Sequence, residues 1–173
     1  MKKKIPLPIS FAAIWILFRL VIFNLGINSQ LKIGFLINVL FILILILTSL
    51  HVYVKREKKI ESFAVNFKNS LKQAGIYLMI VVGFIFIFHQ FINPEFLTDF
   101  HERKMEVERD QDFTEIIKQG FSKEEYLEKA EKSSLIITSK KMITTFYFGA
   151  LFLISIIYSV LAPLFYKKVV LRI

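Results

Sequence analysis

The sequence predicts an all-α membrane protein: a four-helix transmembrane bundle with an extracytoplasmic helical insertion between helices 3 and 4. Of its 173 residues, 55% are hydrophobic and 15% aromatic, which is more apolar surface than a water-soluble domain of this size can bury. These residues are gathered in four stretches, and each reaches or approaches the roughly twenty residues needed to cross about 30 Å of hydrocarbon. Lipid is therefore the expected solvent of much of the chain.

The chain is predicted to form a single membrane domain, 1–173, whose four spans cover residues 10–25, 33–54, 73–92 and 142–166. The second span is the clearest because it carries no charge through most of its length. The first contains Arg19, and no Ala-x-Ala cleavage pattern follows it, so we expect it to remain as an anchor and not to be removed as a signal peptide. Tyrosines near the predicted ends are typical of membrane boundaries, namely Tyr53, Tyr77, Tyr147 and Tyr166.

Charge predicts the orientation of these spans. With four spans, both termini and the 55–72 loop share one face, where twelve Lys and Arg residues face only two acids. The opposite face has ten cations and twelve acids, almost all of them in 93–141. Because basic residues accumulate on the cytoplasmic side, we expect both termini in the cytoplasm and a bacterial inner-membrane location. Since the cations follow the membrane topology, the net charge of +9 gives little support to nucleic-acid binding.

The cytoplasmic loop contains a predicted amphipathic helix at 58–71. Apolar residues recur at helical spacing and include Phe63 and Phe67, while Lys58, Lys59 and Lys68 lie on the other face. Such a helix is expected to lie in the headgroup layer with its lysines on anionic lipid. It would be either a lipid-sensing or docking helix, or an ordinary interfacial elbow that leads into the third span.

The acidic segment 93–141 has the composition of short soluble helices. Asn93 before a proline favours a helix to about Arg109, Gly120 favours a helix end in the left-handed conformation, and Ser122 favours the cap of another helix. The segment is too small to build a large core by itself. Its acids would form either a solvated face or a weak surface for a cation or partner.

Arg19 is the main candidate functional residue, because a cation near the middle of a span costs several kcal/mol unless it is paired or hydrated. No carboxylate lies in a predicted span. The expected partners are therefore Asn38 of the second span and Ser155 and Tyr158 of the fourth, or waters in a cavity. Arg19 would contact an anion or a lipid headgroup, or it would be a hydrogen-bonded structural arginine.

Several functional classes find no support in the sequence. Without cysteines there is no thiolate chemistry, and without intramembrane carboxylates a proton relay is disfavoured. The histidines show neither i, i+4 pairing nor an HExxH motif, and no phosphate-binding loop, dinucleotide turn or GxSxG motif is present. We therefore expect no enzyme activity, no catalytic residue, no cofactor and no metal site.

Three segments in order carry a resemblance to a known family: SFAVNFKNSLKQAG entering the third span, FINPEF leaving it, and GFSKEEYLEKAE before the last span. Over nearly its whole length the chain resembles domain of unknown function family 4199, small four-helix membrane proteins found mostly in Bacteroidota. The resemblance implies this architecture and an inner-membrane location. It implies no activity and no catalytic residues, because none is established for the family.

Two functional hypotheses follow from these observations. The first is a non-enzymatic scaffold or modulator, whose partners would be the lipid bilayer and either another membrane protein or a second copy of itself. The alternative is a small transporter or lipid-handling protein with a polar cavity around Arg19.

Overall fold

The computed structural model describes residues 6–27, 30–57, 62–118 and 120–166 of the chain. Every regular element within these residues is helical, which confirms the all-α prediction. The elements are α1 (Leu7–Asn24), α2 (Gln30–Glu57), α3 (Phe63–Ile87) with a π-helical turn (Phe88–Ile92), α4 (Glu95–Asp110), α5 (Thr114–Lys118), α6 (Lys123–Ile137) and α7 (Lys140–Phe165).

Four of these helices are long and apolar enough to cross a membrane: α1, α2, α3 continued by the π-helical turn, and α7. Their outer surfaces carry large apolar side chains, for example Leu17, Met79 and Leu153, which are 64%, 69% and 62% exposed. Apolar surface of this extent is unfavourable in water but is matched by lipid chains. The four helices therefore have the surface of membrane spans.

The chain forms two compact units. The bundle unit contains the residues up to Phe84 and those from Tyr147 onward, and the insertion unit is Ile85–Phe146. Aromatic contacts tie the helices of the bundle unit together: Trp15 of α1 meets Phe84 of α3 edge to face at 6.0 Å between ring centroids. The buried apolar residues of this unit include Ala12, Trp15, Ile42, Leu45, Ile46, Ala74, Leu78, Val81 and Leu151.

The end of α1 is set by a glycine. Gly26 has φ +66°, a left-handed conformation that residues with a Cβ rarely adopt. Its N–H donates to the carbonyl of Phe23 at 3.0 Å, and the N–H of Ile27 donates to that of Ile22 at 3.4 Å. This pair of bonds is the Schellman motif, which satisfies the last carbonyls of the helix and turns the chain toward α2.

The third span differs from its predicted division into an interfacial helix at 58–71 and a span from residue 73. Residues 63–87 form one uninterrupted helix, because they contain no proline and the isolated glycines Gly75 and Gly83 do not break the hydrogen-bond ladder. Phe63 is exposed and stacks on Phe67 with ring centroids 6.2 Å apart. Lys68 is exposed on the same helix, whereas the predicted contributions of Lys58 and Lys59 lie outside the described residues.

Within the described residues of the insertion unit, α4, α5 and α6 lie wholly inside it, and local signals mark the end of α5 and the start of α6. Ser122 accepts a 3.1 Å hydrogen bond from the N–H of Glu125 and so caps α6, as its position in the sequence predicts. Gly120 has φ +89°, and the N–H of Phe121 donates to the carbonyl of Ile116 at 3.3 Å, which closes α5. Both predictions rest on short-range chemistry and are confirmed.

The start of α4 differs from the prediction. Pro94, and not Asn93, occupies the N-cap position, and its side chain has no hydrogen to donate or oxygen to accept a bond. The reason is the π-helical turn, since the N–H of Asn93 donates at 2.8 Å to the carbonyl of Phe88 five residues earlier. Asn93 thus terminates the preceding helix.

Candidate functional site

Arg19 of α1 is buried in the bundle unit, with only 4% of its surface exposed. Its guanidinium lies beside the Tyr147 side chain of α7, with which it interacts electrostatically. Both groups close over Gly34 of α2: a Cβ atom on this glycine would be 3.6 Å from Nη1 of Arg19 and 3.5 Å from the hydroxyl of Tyr147. These are ordinary contact distances, so there is room for a methyl group but not for a large side chain between Gly34 and the two groups.

Asn38 hydrogen-bonds to three residues near this arginine. Its Nδ2 donates to the carbonyl of Gly34 at 3.0 Å, and its Oδ1 accepts from the hydroxyl of Tyr77 on α3 at 2.6 Å. The Asn38 side chain also hydrogen-bonds with Tyr147. Asn38 and Tyr77 are both fully buried, so each needs these bonds to offset the loss of water.

A fifth side chain completes the arrangement. Nε1 of Trp15 on α1 donates to the Gly34 carbonyl at 3.4 Å, so this oxygen accepts from two side chains. We call the set the Arg19 cluster; its members are Trp15, Arg19, Gly34, Asn38, Tyr77 and Tyr147. Each of the four apolar helices contributes at least one member. In a low-dielectric interior such bonds join helices at defined positions, and the cluster holds one cation among neutral donors and acceptors.

The structure brings together only one of the three predicted partners of Arg19. Asn38 belongs to the cluster, but Ser155 is fully buried on α7 and its Oγ donates to the carbonyl of Leu151 at 2.8 Å, within its own helix. Tyr158 is half-buried on the same helix and is not part of the cluster. Tyr147 takes the place that the sequence suggested for Tyr158.

Helix direction explains why Tyr147 and not Tyr158 meets the arginine. Arg19 lies five residues before the end of α1, and Tyr147 lies seven residues after the start of α7. Because four successive spans alternate in direction, the end of one and the start of the last lie at the same membrane face. At a rise of 1.5 Å per residue, Tyr147 and Arg19 lie at similar distances from that face, whereas Tyr158 lies deeper. A position for Arg19 near the middle of the membrane does not distinguish between Tyr147 and Tyr158 as its partner.

The tyrosines expected at the membrane boundaries are partly internal instead. Tyr77 and Tyr147 belong to the Arg19 cluster, and Tyr166 is 6% exposed with its hydroxyl 3.0 Å from Nδ1 of His51. A tyrosine near a span end can turn its hydroxyl either to water or to a buried polar partner, and the sequence alone does not distinguish these cases.

Metal binding has no visible site in the part of the chain that the structure describes, where no group of three or more His, Asp or Glu side chains could hold an ion. His101 of the insertion unit makes a polar contact within the fold. Nδ1 of His101 on α4 lies 2.8 Å from Oγ of Ser134 on α6.

Comparison with known protein families identifies a match. The family model described as protein of unknown function, DUF4199, matches residues 9–168, which include three of the apolar helices, all but the first two residues of α1, the Arg19 cluster and the insertion unit. Neither the curated proteins nor the solved structures give a match. The match covers most of the chain and agrees with the resemblance seen in its sequence motifs, so the chain belongs to the DUF4199 family.

Proposed function

We propose that this protein is a non-enzymatic component of the bacterial inner membrane that acts by contact with another membrane protein. The four apolar helices support the membrane location. The charge difference between the two faces supports an orientation with both termini in the cytoplasm and the insertion unit outside. No motif of a known catalytic site appears in the sequence, which supports a binding role.

The observation that carries this proposal is the internal order of the insertion unit. Its helices α4 and α6 pack on each other, α4 buries Leu97 and Met105, and the hydroxyl of Tyr126 on α6 donates to Glu108 on α4 at 2.9 Å. The ring of Phe113 packs edge to face on Tyr126. A connection between two spans needs no such core, so a separately packed unit is suited to presenting a surface.

The unit also exposes apolar side chains. Val107 on α4 is 72% exposed and Ile117 on α5 is 59% exposed. Scattered apolar residues are common on protein surfaces, but on this acidic segment they offer the contact points that a protein partner would cover. We therefore place the partner contact on α4 and α5.

Site-specific photocrosslinking tests this assignment. A photoreactive amino acid at position 107 or 117 of the natively expressed chain should give a discrete adduct with a second polypeptide after irradiation of intact cells. Position 153 is the matched control, because Leu153 is equally exposed but lies on an apolar span. The proposal would be contradicted if neither the position 107 variant nor the position 117 variant formed an adduct and if the protein purified in mild detergent were a lone protomer.

The alternative, a small transporter or lipid-handling protein with a cavity around Arg19, has less support from the geometry. Arg19 is 4% exposed and its guanidinium lies against Gly34 and Tyr147, as expected for a structural arginine. An Arg19→Gln variant that folds but loses lipids retained by the wild type would favour this alternative.

A further inference from the structure

A cleft in the bundle unit, separate from the Arg19 cluster, lies where three helix ends meet. It has a volume of about 330 Å³ and lies between the start of α1 at Leu7, the end of α2 around Arg56, and the first turns of α3 around Ser70. These ends border apolar spans, so the cleft lies at the depth of the lipid headgroups. Part of its wall is apolar and part is polar.

Several polar groups in the wall of this cleft are buried. Asn66 and Ser70 of α3 line it with only 2% of their surface exposed. Oγ of Ser49 on α2 also lines it, is buried, and has no hydrogen-bond partner among the described residues. A buried hydroxyl without a partner costs free energy, and a ligand oxygen in the cleft would supply the missing bond.

Two cations stand at the cleft, Arg56 from α2 and Lys72 from α3. Arg56 pairs with Glu57 at 2.8 Å, but its side chain is 72% exposed, and exposed ion pairs of this kind contribute little. The guanidinium is therefore able to exchange Glu57 for a stronger anionic partner. Its planar fork of donors matches the oxygens of a phosphate, and a lysine ammonium adds a second positive charge.

We propose that this cleft binds the phosphate group of an anionic phospholipid headgroup. The two cations contact the phosphate oxygens, and the hydroxyl and amide groups of Ser49, Asn66 and Ser70 hold the remaining polar atoms of the headgroup. Leu7 and Val52 continue the wall with apolar surface, which suits the glycerol and upper acyl region of a lipid better than a fully soluble anion. This assignment is independent of the partner-binding role proposed above.

Native mass spectrometry of the full chain in mild detergent tests the proposal. The wild type, given an equimolar mixture of phosphatidylglycerol and phosphatidylcholine, should retain phosphatidylglycerol in excess. In the double variant Arg56→Gln, Lys72→Gln the retained phosphatidylglycerol should fall about tenfold or more, as expected for two lost charge contacts.

The matched control is the single variant Lys55→Gln, which is compared with the single variant Arg56→Gln. Both remove one cation from the end of α2, but Lys55 is exposed and does not line the cleft. Lys55→Gln should keep the wild-type lipid preference, whereas Arg56→Gln should lower it several-fold. Equal losses in these two single variants would mean general attraction to a basic surface and would overturn the proposal.

An uncharged change gives a second test. Ser49→Ala removes the buried hydroxyl without altering any charge and should lower phosphatidylglycerol retention several-fold, whereas Ser159→Ala, which removes a buried unpartnered hydroxyl of α7, should not. An unchanged retention in Ser49→Ala together with an unchanged retention in the cationic double variant would refute the site.

Inorganic phosphate and glycerol phosphate should compete only at far higher concentration than the lipid; competition at equal concentration would assign the cleft to a soluble phosphate compound and overturn the lipid assignment.

Discussion

The hydroxyl of Tyr77 on α3 donates a hydrogen bond of 2.6 Å to Oδ1 of Asn38 on α2, and both side chains are fully buried. The same asparagine bonds Gly34 and Tyr147, so this contact links the third span to the environment of Arg19. In an apolar surrounding, a polar group that loses its partner finds no water to replace it. The stability of the bundle unit should therefore depend on this contact.

Tyr77→Phe removes the donor and leaves Oδ1 of Asn38 without this bond. We expect the free energy of unfolding to fall by about 1 kcal/mol, the usual range for a hydrogen bond between membrane helices. The measurement is unfolding in mixed micelles followed by circular dichroism. Tyr158→Phe is the control, because Tyr158 is a half-buried tyrosine of α7 that lies outside the Arg19 cluster, and the stability of this variant should match that of the wild type. Equal effects of the two substitutions would contradict this assignment.

Gly34 should be sensitive to size. Gly34→Ala should keep the stability or raise it by up to about 1 kcal/mol, because the new Cβ makes ordinary contacts at 3.5 and 3.6 Å and alanine favours a helix. Gly34→Leu would displace Arg19 or Tyr147 and should cost about 1–3 kcal/mol. Fluorescence of Trp15, which is the only tryptophan of the chain and donates to the Gly34 carbonyl, reports the change.

Gly149→Leu is the matched control for this pair. Gly149 lies on α7, and a Cβ atom there would have no neighbour within 4 Å, so the added side chain should enter open space. We expect wild-type stability and an unchanged Trp15 emission spectrum. If Gly34→Leu and Gly149→Leu behaved alike, close packing around Gly34 could not be the reason for the effect.

The capping bond of α6 should be measurable on its own. Ser122→Ala removes the acceptor of the Glu125 N–H and should lower the stability of α6 by about 1 kcal/mol. Hydrogen exchange of the backbone amides of α6 is the appropriate measurement, because it reports opening of this helix alone. Ser133→Ala, an exposed change in the middle of the same helix, should leave exchange unchanged or slow it, since alanine is the better helix former.

Features that depend on neighbouring residues are the ones that the sequence predicts well. The apolar helices follow from long uninterrupted stretches, and Gly120 and Ser122 mark helix ends through bonds to residues a few positions away. Such signals need no knowledge of the tertiary structure.

The Arg19 cluster depends on residues far apart in sequence, and only Arg19 and Asn38 of its six members were predicted as candidates. Which tyrosine reaches the arginine depends on the direction of each helix and on which face it turns inward, and a sequence pattern does not fix this rotation. The sequence alone does not identify Gly34 as a member of the cluster, because the role of this glycine depends on the position of Tyr147 above it.

The pKa of the Asp112 carboxyl is held below its usual value by hydrogen bonds from Thr114, first from its hydroxyl at 2.6 Å and then from its N–H at 3.0 Å. A carboxyl whose folded-state pKa is lowered stabilises the fold above its ordinary pKa, and this contribution is lost as the pH falls through the lowered value. Thr114→Val removes the hydroxyl bond, so the pKa of Asp112 should rise toward its ordinary value and the acid-side loss of stability should shrink.

Carbon-13 NMR of the labelled carboxyl groups measures this shift in the full chain. Glu128 supplies the internal reference, because its lowered pKa comes from the hydrogen bond and charge of Lys132 and should not respond to Thr114→Val. A parallel shift of both carboxyl groups would point to a general change of the insertion unit and would speak against a specific bond to Thr114.

The predicted orientation can be tested directly because the chain has no cysteine, so a single introduced thiol is the only one that reacts. Lys68→Cys and Glu124→Cys place exposed thiols on α3 and α6. The charge pattern predicts that residue 68 lies on the cytoplasmic side of the membrane and residue 124 on the opposite side. In spheroplasts of a Gram-negative host, a membrane-impermeant maleimide should label Glu124→Cys, whereas Lys68→Cys should react only in inverted vesicles. Met79→Cys, which replaces a 69% exposed apolar residue of α3, should react in neither. The reverse pattern would place the insertion unit in the cytoplasm and the cleft beside Arg56 in the outer leaflet, and labelling of Met79→Cys from either side would argue that α3 does not lie in lipid.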